Sequence, residues 1–588
     1  MMKIFRTSSL VAVLRGLSAI MVISLFVPVL AHGHGQALTR HMHEAISNGQ
    51  AKWVDRLPAT HSLRLNIALP LRNESELDEL LSQIYDPESP SYHQFLSVEE
   101  FTQRFGPSQE DYDAVINFAE ENGLTVTGTA PNRMIVDVEG PVANIERAFH
   151  VNMRVYQHPT EGRTFFAPDQ EPIVDLPVQL WHITGLDNFS KPHPASLKRD
   201  AKVKGNVTGS GPGGYFIGSD IRAAYYGGTA LTGSGQSVGL VEFAGYNVND
   251  VITYFSNVGQ PLDVAIVGVS TDGSSLSCTG KCDDSEQVLD IEEVISMAPG
   301  MSQVLVYISS ASDVSIFNRM ATDNIAKSLS CSWGWSPADA SSDDPIFKEF
   351  AAQGQTLFVA SGDNGAYSTR SQGVYPADDA YVTSVGGTDL TTTGAGGAWQ
   401  SETAWSSSGG GISPNRIAIP SYQTTAGVIT TANKGSKVYR NSPDVAAEAN
   451  TDNYFCYNGT CSGGWGGTSF AAPRWAGYLA LVNQQSVAHG NSTLGFINPT
   501  IYSIGLGANY GTNFHDITSG NNGTYSTEAG YDLVTGWGSP NGTNLINSLA
   551  PSDTNLYGSF TGAGIWKWDG SSWTQVTPNN PAGMVLGN

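Results

Sequence analysis

The sequence predicts an α/β protein: a parallel sheet covered by helices on both faces, preceded by a small α+β unit. Three observations lead there. From about Tyr215 to Leu549, short apolar runs alternate with helical stretches, as parallel strands buried on both faces do. The runs are Ser237–Phe243, Gln303–Ser309, Lys327–Trp333, Thr356–Ser361 and Tyr381–Val385. Residues 37 to about 190 alternate strands (Leu63–Ala68, Met134–Val138) with helices (Glu74–Tyr85, Gln109–Glu121), the pattern of a separate, smaller unit. The chain has 588 residues, too many for one ordinary domain, and its 40% hydrophobic against 14% charged content suits packed cores rather than disorder.

In chain order, residues 1–31 read as a signal peptide. Lys3, Arg6 and Arg15 precede an apolar run from Leu17 to Leu30, and Val29-Leu30-Ala31 is a small-residue cleavage site. The run is short for a membrane span and holds Pro28, and no later segment is apolar for long enough to cross a bilayer. A secreted protein that leaves the membrane once the signal is removed is expected. Residues 37–190 form the first unit. Residues 191–214, with Lys198, Arg199, Lys202 and Lys204 among Gly, Ser and Pro, read as a flexible basic linker open to proteolytic nicking. Residues 215–550 form the large unit. Residues 551–588 are a β-like tail carrying Trp566, Trp568 and Trp573, with no second copy of its motif to build a propeller or solenoid.

The net charge of -24 disfavours nucleic acid as a partner. From Gly211 onward there are 12 Lys and Arg against 30 Asp and Glu, so this part loses most of its charge in acid and keeps few cations to repel one another. All five cysteines lie in this region. Cys278/Cys282 and Cys456/Cys461 are spaced to close small loops in an oxidising compartment, and Cys331 sits in an apolar run as a buried thiol.

The chemistry concentrates at four places. Gly466-Gly-Thr-Ser469 precedes the helical run Phe470–Gln484, which puts the Ser469 hydroxyl at a helix N-terminus, as an N-cap or as a nucleophile beside backbone N–H groups. A nucleophilic serine needs a base. Only His489 and His515 lie beyond residue 200, neither in a Gly-rich setting, so the base should be a carboxylate. Glu286 and Asp290 stand four apart in a helical pattern and share a face, either a solvated acidic face or, since Val288, Leu289 and Ile291 surround Asp290, a buried pair sharing a proton. Asp363 ends the run Phe358–Ser361 in a Gly-rich turn, where it either caps the turn or, kept protonated, donates a hydrogen bond to an oxyanion.

With Val241-Glu242-Phe243, Ser330-Cys-Ser-Trp333-Gly334, Ser384-Val-Gly-Gly-Thr388, Ser442-Pro-Asp-Val-Ala446 and, near the front, Tyr92-His-Gln-Phe-Leu-Ser-Val-Glu-Glu-Phe101, these motifs are similar in order and spacing to those of the sedolisin, or serine-carboxyl peptidase, family, from about residue 60 to 548. The resemblance implies a subtilisin-like sheet, a Ser469–Glu286–Asp290 triad, an oxyanion hole using Asp363, and a supporting network of Glu242 and Trp333. It implies a monomeric acid-acting endopeptidase for protein and peptide substrates, made as a zymogen with residues 37–190 as its inhibitory prosegment. Asp516-Ile517 and Glu528-Ala-Gly530-Tyr-Asp532 resemble the family's calcium loop. By spacing alone they read as a metal-free Asx turn. The resemblance implies calcium held by the Asp516 and Asp532 side chains and the Ile517 and Gly530 carbonyls, with the Glu528 carbonyl as a further ligand.

Overall fold

The computed structural model describes residues 35–195, 198–199, 208–279, 282–336, 340–369, 374–552, 556–560, 563–568 and 573–578. The expected signal peptide, and Lys202 and Lys204, lie outside them.

The front unit contains β1 (Ser62–Ala68), α1 (Glu74–Ile84), α2 (Gln109–Glu121), β2 (Thr125–Thr129), β3 (Ile135–Pro141) and β4 (His182–Thr184). The four strands form an antiparallel sheet in the order β2–β3–β1–β4. Helix α2 starts where Ser108 accepts the Asp111 N–H, and it buries the stripe Tyr112, Val115, Phe118 and Ala119.

The large unit opens with β5 (Ser237–Glu242) and β6 (Ala265–Ser270). It continues through α3 (Ser285–Met297), β7 (Gln303–Ile308), α4 (Asp313–Asp323), β8 (Ser328–Cys331), α5 (Ala340–Ala352) and β9 (Thr356–Ala360), then β10 (Thr383–Thr392), β11 (Trp399–Ala404) and β12 (Val445–Glu448), and α6 (Thr468–Ala488). Strands β6–β7–β5–β8–β9–β10 run parallel, in that order; β12 joins β10 in parallel and β11 joins it antiparallel. The expected covered parallel sheet is therefore present. All five residues of β9 are buried, which is why the run carries no polar alternation. Helix α6 is buried on nearly every side and is apolar all round for the same reason. Gly477 lets α6 close on α3, because a Cβ there would stand 2.7 Å from the Met297 Cβ. The carboxyl ends of β5, β8 and β9 converge, and α/β proteins place their sites at such ends.

The front unit's sheet sits on α4 and α5. Asn66 Nδ2 donates to Ser315 Oγ at 2.9 Å, and its Oδ1 accepts from the α4 N-cap Ser312 at 2.6 Å. Asn132 Nδ2 donates to Asn318 Oδ1 and to Glu349 Oε2, at 2.7 and 2.8 Å. Tyr85 OH donates to the Ala351 carbonyl and accepts the Phe496 N–H, at 2.6 and 2.9 Å. Cys278–Cys282 and Cys456–Cys461 are joined, and Cys331 is free and buried. The tail strands Leu556–Phe560, Gly564–Trp568 and Trp573–Thr577 form one antiparallel meander. Among the described residues no helix is long and apolar enough to cross a membrane.

Candidate active site

Helix α3 carries Glu286 and Asp290 inward, at 1% and 0% exposure, so the pair is not a solvated face. Burial, with Asp290 as neighbour, raises Glu286 well above the usual carboxyl range. Burial and the charge of Glu242 do the same to Asp290, and burial raises Glu242. The arrangement is held from outside the helix. Ser332 Oγ donates to Asp290 Oδ1 at 2.7 Å, and Trp333 Nε1 donates to Glu242 Oε2 at 3.0 Å. Glu242 Oε1 and Asp290 Oδ2 are buried without a well-formed hydrogen bond among the described residues, and the two carboxyls act on each other electrostatically.

Ser469 lies in the first turn of α6 and is fully buried in this docked state. Pro473 has no N–H to give the Ser469 carbonyl, so that oxygen faces the Ser332 hydroxyl at 3.4 Å instead. The Ser469 hydroxyl interacts with Glu286, yet neither group makes a well-formed hydrogen bond among the described residues. Slack of this kind is common before a substrate tightens a site.

Asp363 follows β9, one residue after Gly362, whose φ of +98° favours glycine. Its Oδ1 accepts both the Thr468 N–H and the Thr468 hydroxyl at 2.8 Å. Its Oδ2 is buried without a partner among the described residues. Burial pushes its pKa up to about 7, although the two Thr468 bonds and the charge of Lys198 pull the other way. A carboxyl of this kind carries its proton in acid and can then donate from Oδ2.

The fold thus gathers Ser469, Glu286, Asp290, Asp363, Glu242 and Trp333. It places the histidines elsewhere: His515 stacks on Trp399 at 3.8 Å, and His489 lies 3.2 Å from the Ala550 carbonyl. Ser332 and Thr468 were not singled out from the sequence; the only hint was adjacency to Trp333 and Ser469. Glu293, on the same helix, is paired with Arg474 at 2.7 Å with both side chains buried.

Described residues of the segment expected to be a free linker pair with strands beside this site. His193–Pro194 pairs antiparallel with Trp333–Gly334, and the Ala195 N–H donates to the Ser332 carbonyl at 3.0 Å. Lys198–Arg199 pairs antiparallel with Trp465–Gly466. Paired strands on both flanks replace the flexibility that the composition suggests.

Away from the site, Asp516 accepts the Gly530 N–H at 3.2 Å and the Tyr510 hydroxyl at 3.0 Å. Asp532 is fully buried and accepts the Val534 and Thr535 N–H groups at 2.8 Å. Asp389, Glu448 and Asp452 form a further carboxylate cluster, with ligand atoms within 4.8 Å of one another.

Residues 50–189 match the family described as pro-kumamolisin, activation domain, and residues 306–495 match the subtilase family. The chain is 31% identical over 536 residues to kumamolisin of Bacillus sp. (strain MN-32), covering 85% of this chain and 94% of that one. It is 29% identical to xanthomonalisin of Xanthomonas sp. (strain T-22), covering 83% and 65%. It is also 29% identical to sedolisin of Pseudomonas sp. (strain 101), covering 82% and 86%. A subtilase sheet behind an activation domain defines a serine-type peptidase made as a zymogen. The chain belongs to the sedolisin family of serine-carboxyl peptidases, hydrolases of peptide bonds.

Proposed function

We propose that the chain is a secreted, monomeric, acid-acting endopeptidase that uses a Ser469–Glu286–Asp290 triad and cuts its own linker. Ser469 Oγ attacks the substrate carbonyl while Glu286 takes its proton. Asp290, held by Ser332, orients Glu286, and Glu242 with Trp333 extends the network. Protonated Asp363 and the Ser469 backbone N–H stabilise the oxyanion. Glu286 then protonates the leaving amine, and water cleaves the acyl-enzyme.

The observation that carries this reading is the antiparallel pairing of His193–Pro194 with Trp333–Gly334 and of Lys198–Arg199 with Trp465–Gly466, on either side of the site as a substrate would pair. The first pairing marks the acyl side and the second the leaving side. The test is an activity–pH profile of purified protein after acid treatment, with the new N-terminus sequenced. Activity highest well below neutrality, with a cut between Ala195 and Lys198, is expected. An optimum near pH 8 would overturn the carboxylate mechanism and favour a histidine base.

We also assign a structural calcium ion to the loop of Asp516, Ile517, Gly530 and Asp532, with the Glu528 carbonyl alongside. The Asp516–Gly530 bond draws two turns together, and the buried Asp532 carboxylate lies in the same loop. The donor set is all oxygen, which suits a hard cation. Bound there, the ion would brace the loop and supply no catalytic group.

A further inference from the structure

We infer that the leaving side of the cleft is a tandem cation subsite, which favours Lys followed by Arg in the part of a substrate released first. The inference rests on the proposed placement of the reaction at Ser469. It comes from two side chains of the linker rather than from its backbone pairing.

Lys198 reaches back toward the oxyanion acid. Its Nζ donates to the Asp363 carbonyl and to Ser407 Oγ, the latter at 3.0 Å, and it stands 5.5 Å from the centre of the Trp405 ring. The acceptors are a backbone carbonyl, a hydroxyl and a π face. A cation satisfies all three, whereas an uncharged alkyl chain of equal length satisfies none. One residue on, the Arg199 guanidinium lies over Trp465, 5.1 Å from its centre. That ring is fixed. Trp465 Nε1 donates to Ser462 Oγ at 3.0 Å, and its faces and edges pack against Phe455 and Tyr457.

Both indoles are wall residues of the cleft rather than parts of the proton chain. Trp405 follows β11, and its backbone N–H donates to the Gly387 carbonyl. Trp465 is the penultimate residue of the strand Thr460–Gly466, which leads into α6 and Ser469. Trp465 sits on the strand that aligns Lys198 with Gly466 and Arg199 with Trp465, and Trp405 is held separately beside Gly387. Lys and Arg keep their charge throughout the acid range, so this selectivity persists where Asp363 is protonated. Its energetic source is cation–π attraction and charge-assisted hydrogen bonding, which acid does not weaken.

The test uses quenched peptides copying residues 190–203, changed only at the positions of Lys198 and Arg199. One series carries Lys-Arg, a second norleucine-citrulline and a third Glu-Glu, with kcat/KM read in acid and the cut mapped by mass. Lys-Arg should exceed norleucine-citrulline by about threefold per position and about tenfold together. Trp405→Leu and Ser407→Ala should erase the preference at the first position only, and Trp465→Leu at the second only. Each is read as a ratio between peptides on one protein, so a loss of folded enzyme cancels. Equal rates for the charged and neutral peptides in an enzyme that cleaves both overturn the inference and leave the triad standing. Failure to cleave any peptide, with Ser469 unreactive toward a serine-directed probe, overturns the underlying reading and the inference with it.

Discussion

Asp363→Asn exchanges a group that donates a hydrogen bond only when protonated for one that donates at every pH. The asparagine Oδ1 keeps both Thr468 bonds, and its Nδ2 takes the place of the partnerless Oδ2. In the folded chain the Asp363 carboxyl holds its proton up to about pH 7, against an ordinary value of 3.8. Below 3.8 it is neutral in folded and unfolded states alike. Between 3.8 and about 7 the unfolded chain ionises while the folded one does not, so stability drains away as pH rises. Above about 7 the loss is complete, at about 4 kcal/mol for a shift of roughly three units. Two results should follow. At pH 4 the uncut chain carrying Ser469→Ala and the same chain with Asp363→Asn added should unfold at similar denaturant concentrations, whereas at pH 7.5 the Asp363→Asn chain should be the more resistant. The alkaline fall of kcat/KM should also weaken or move upward in the enzyme carrying Asp363→Asn alone, provided the amide donor fills the oxyanion role. Falling limbs that superimpose, together with no gain in resistance at pH 7.5, would refute the assignment of Asp363 as a protonated donor.

Ser469→Ala, Glu286→Gln and Asp290→Asn should each stop self-cleavage and leave a full-length chain on a denaturing gel; a double variant should be little worse than a single one, because the three act as a unit. Removing divalent ions should lower the thermal midpoint of the mature enzyme, and added calcium should restore it; an unchanged midpoint in a sample shown to be calcium-free rejects the loop site. His93, stacked on Tyr92 at 3.8 Å and lowered to about 4 by burial, must stay neutral while the prosegment is docked. His93→Gln should therefore tighten inhibition by added prosegment at pH 4 by about tenfold or more and leave pH 7 inhibition unchanged, measured as Ki at both values.

Much of the fold was legible because burial on both faces writes itself locally. Gln303–Ile308 and Thr356–Ala360 read as strands from their own apolar runs, and α3 from its own spacing. Glu286 and Asp290 were legible as a pair because one turn of helix relates them. What holds them was not. Ser332 reaches Asp290 across 42 residues, and Thr468 reaches Asp363 across 105, and no local pattern encodes a contact of that span. The fate of Glu292 and Glu293 was hidden as well, since a glutamate buried opposite Arg474 looks in sequence like a solvated one. The linker was misleading for a physical reason. Gly, Ser and Lys lower its own order, yet the cleft supplies the strands it pairs with, so its conformation belongs to its partner.

Acid acts on the docked prosegment in two directions. Burial raises Glu349 to about 8, although its bond from the prosegment's Asn132 pulls the other way, and burial also raises Asp137, so a proton at either group favours the docked state. Those groups tighten docking as pH falls. His93 loosens it as pH falls between its ordinary 6.5 and about 4. Lys198 is bonded to a carbonyl, a hydroxyl and an indole face, so those of its contacts do not depend on a titrating group. Opposed terms of this kind make docking a shallow function of pH. The catalytic step responds at Asp363, which burial raises to about 7 and which must hold its proton to donate to the oxyanion, while the Glu286–Asp290–Glu242 cluster shares its protons and leaves Glu286 a carboxylate to act as base. Once the linker is cut, the prosegment no longer has the high effective concentration that the tether gave it, and dilution completes its release without further help from protons. In this scheme acid commits the zymogen mainly by turning on the cut, and the loosening of the interface is secondary.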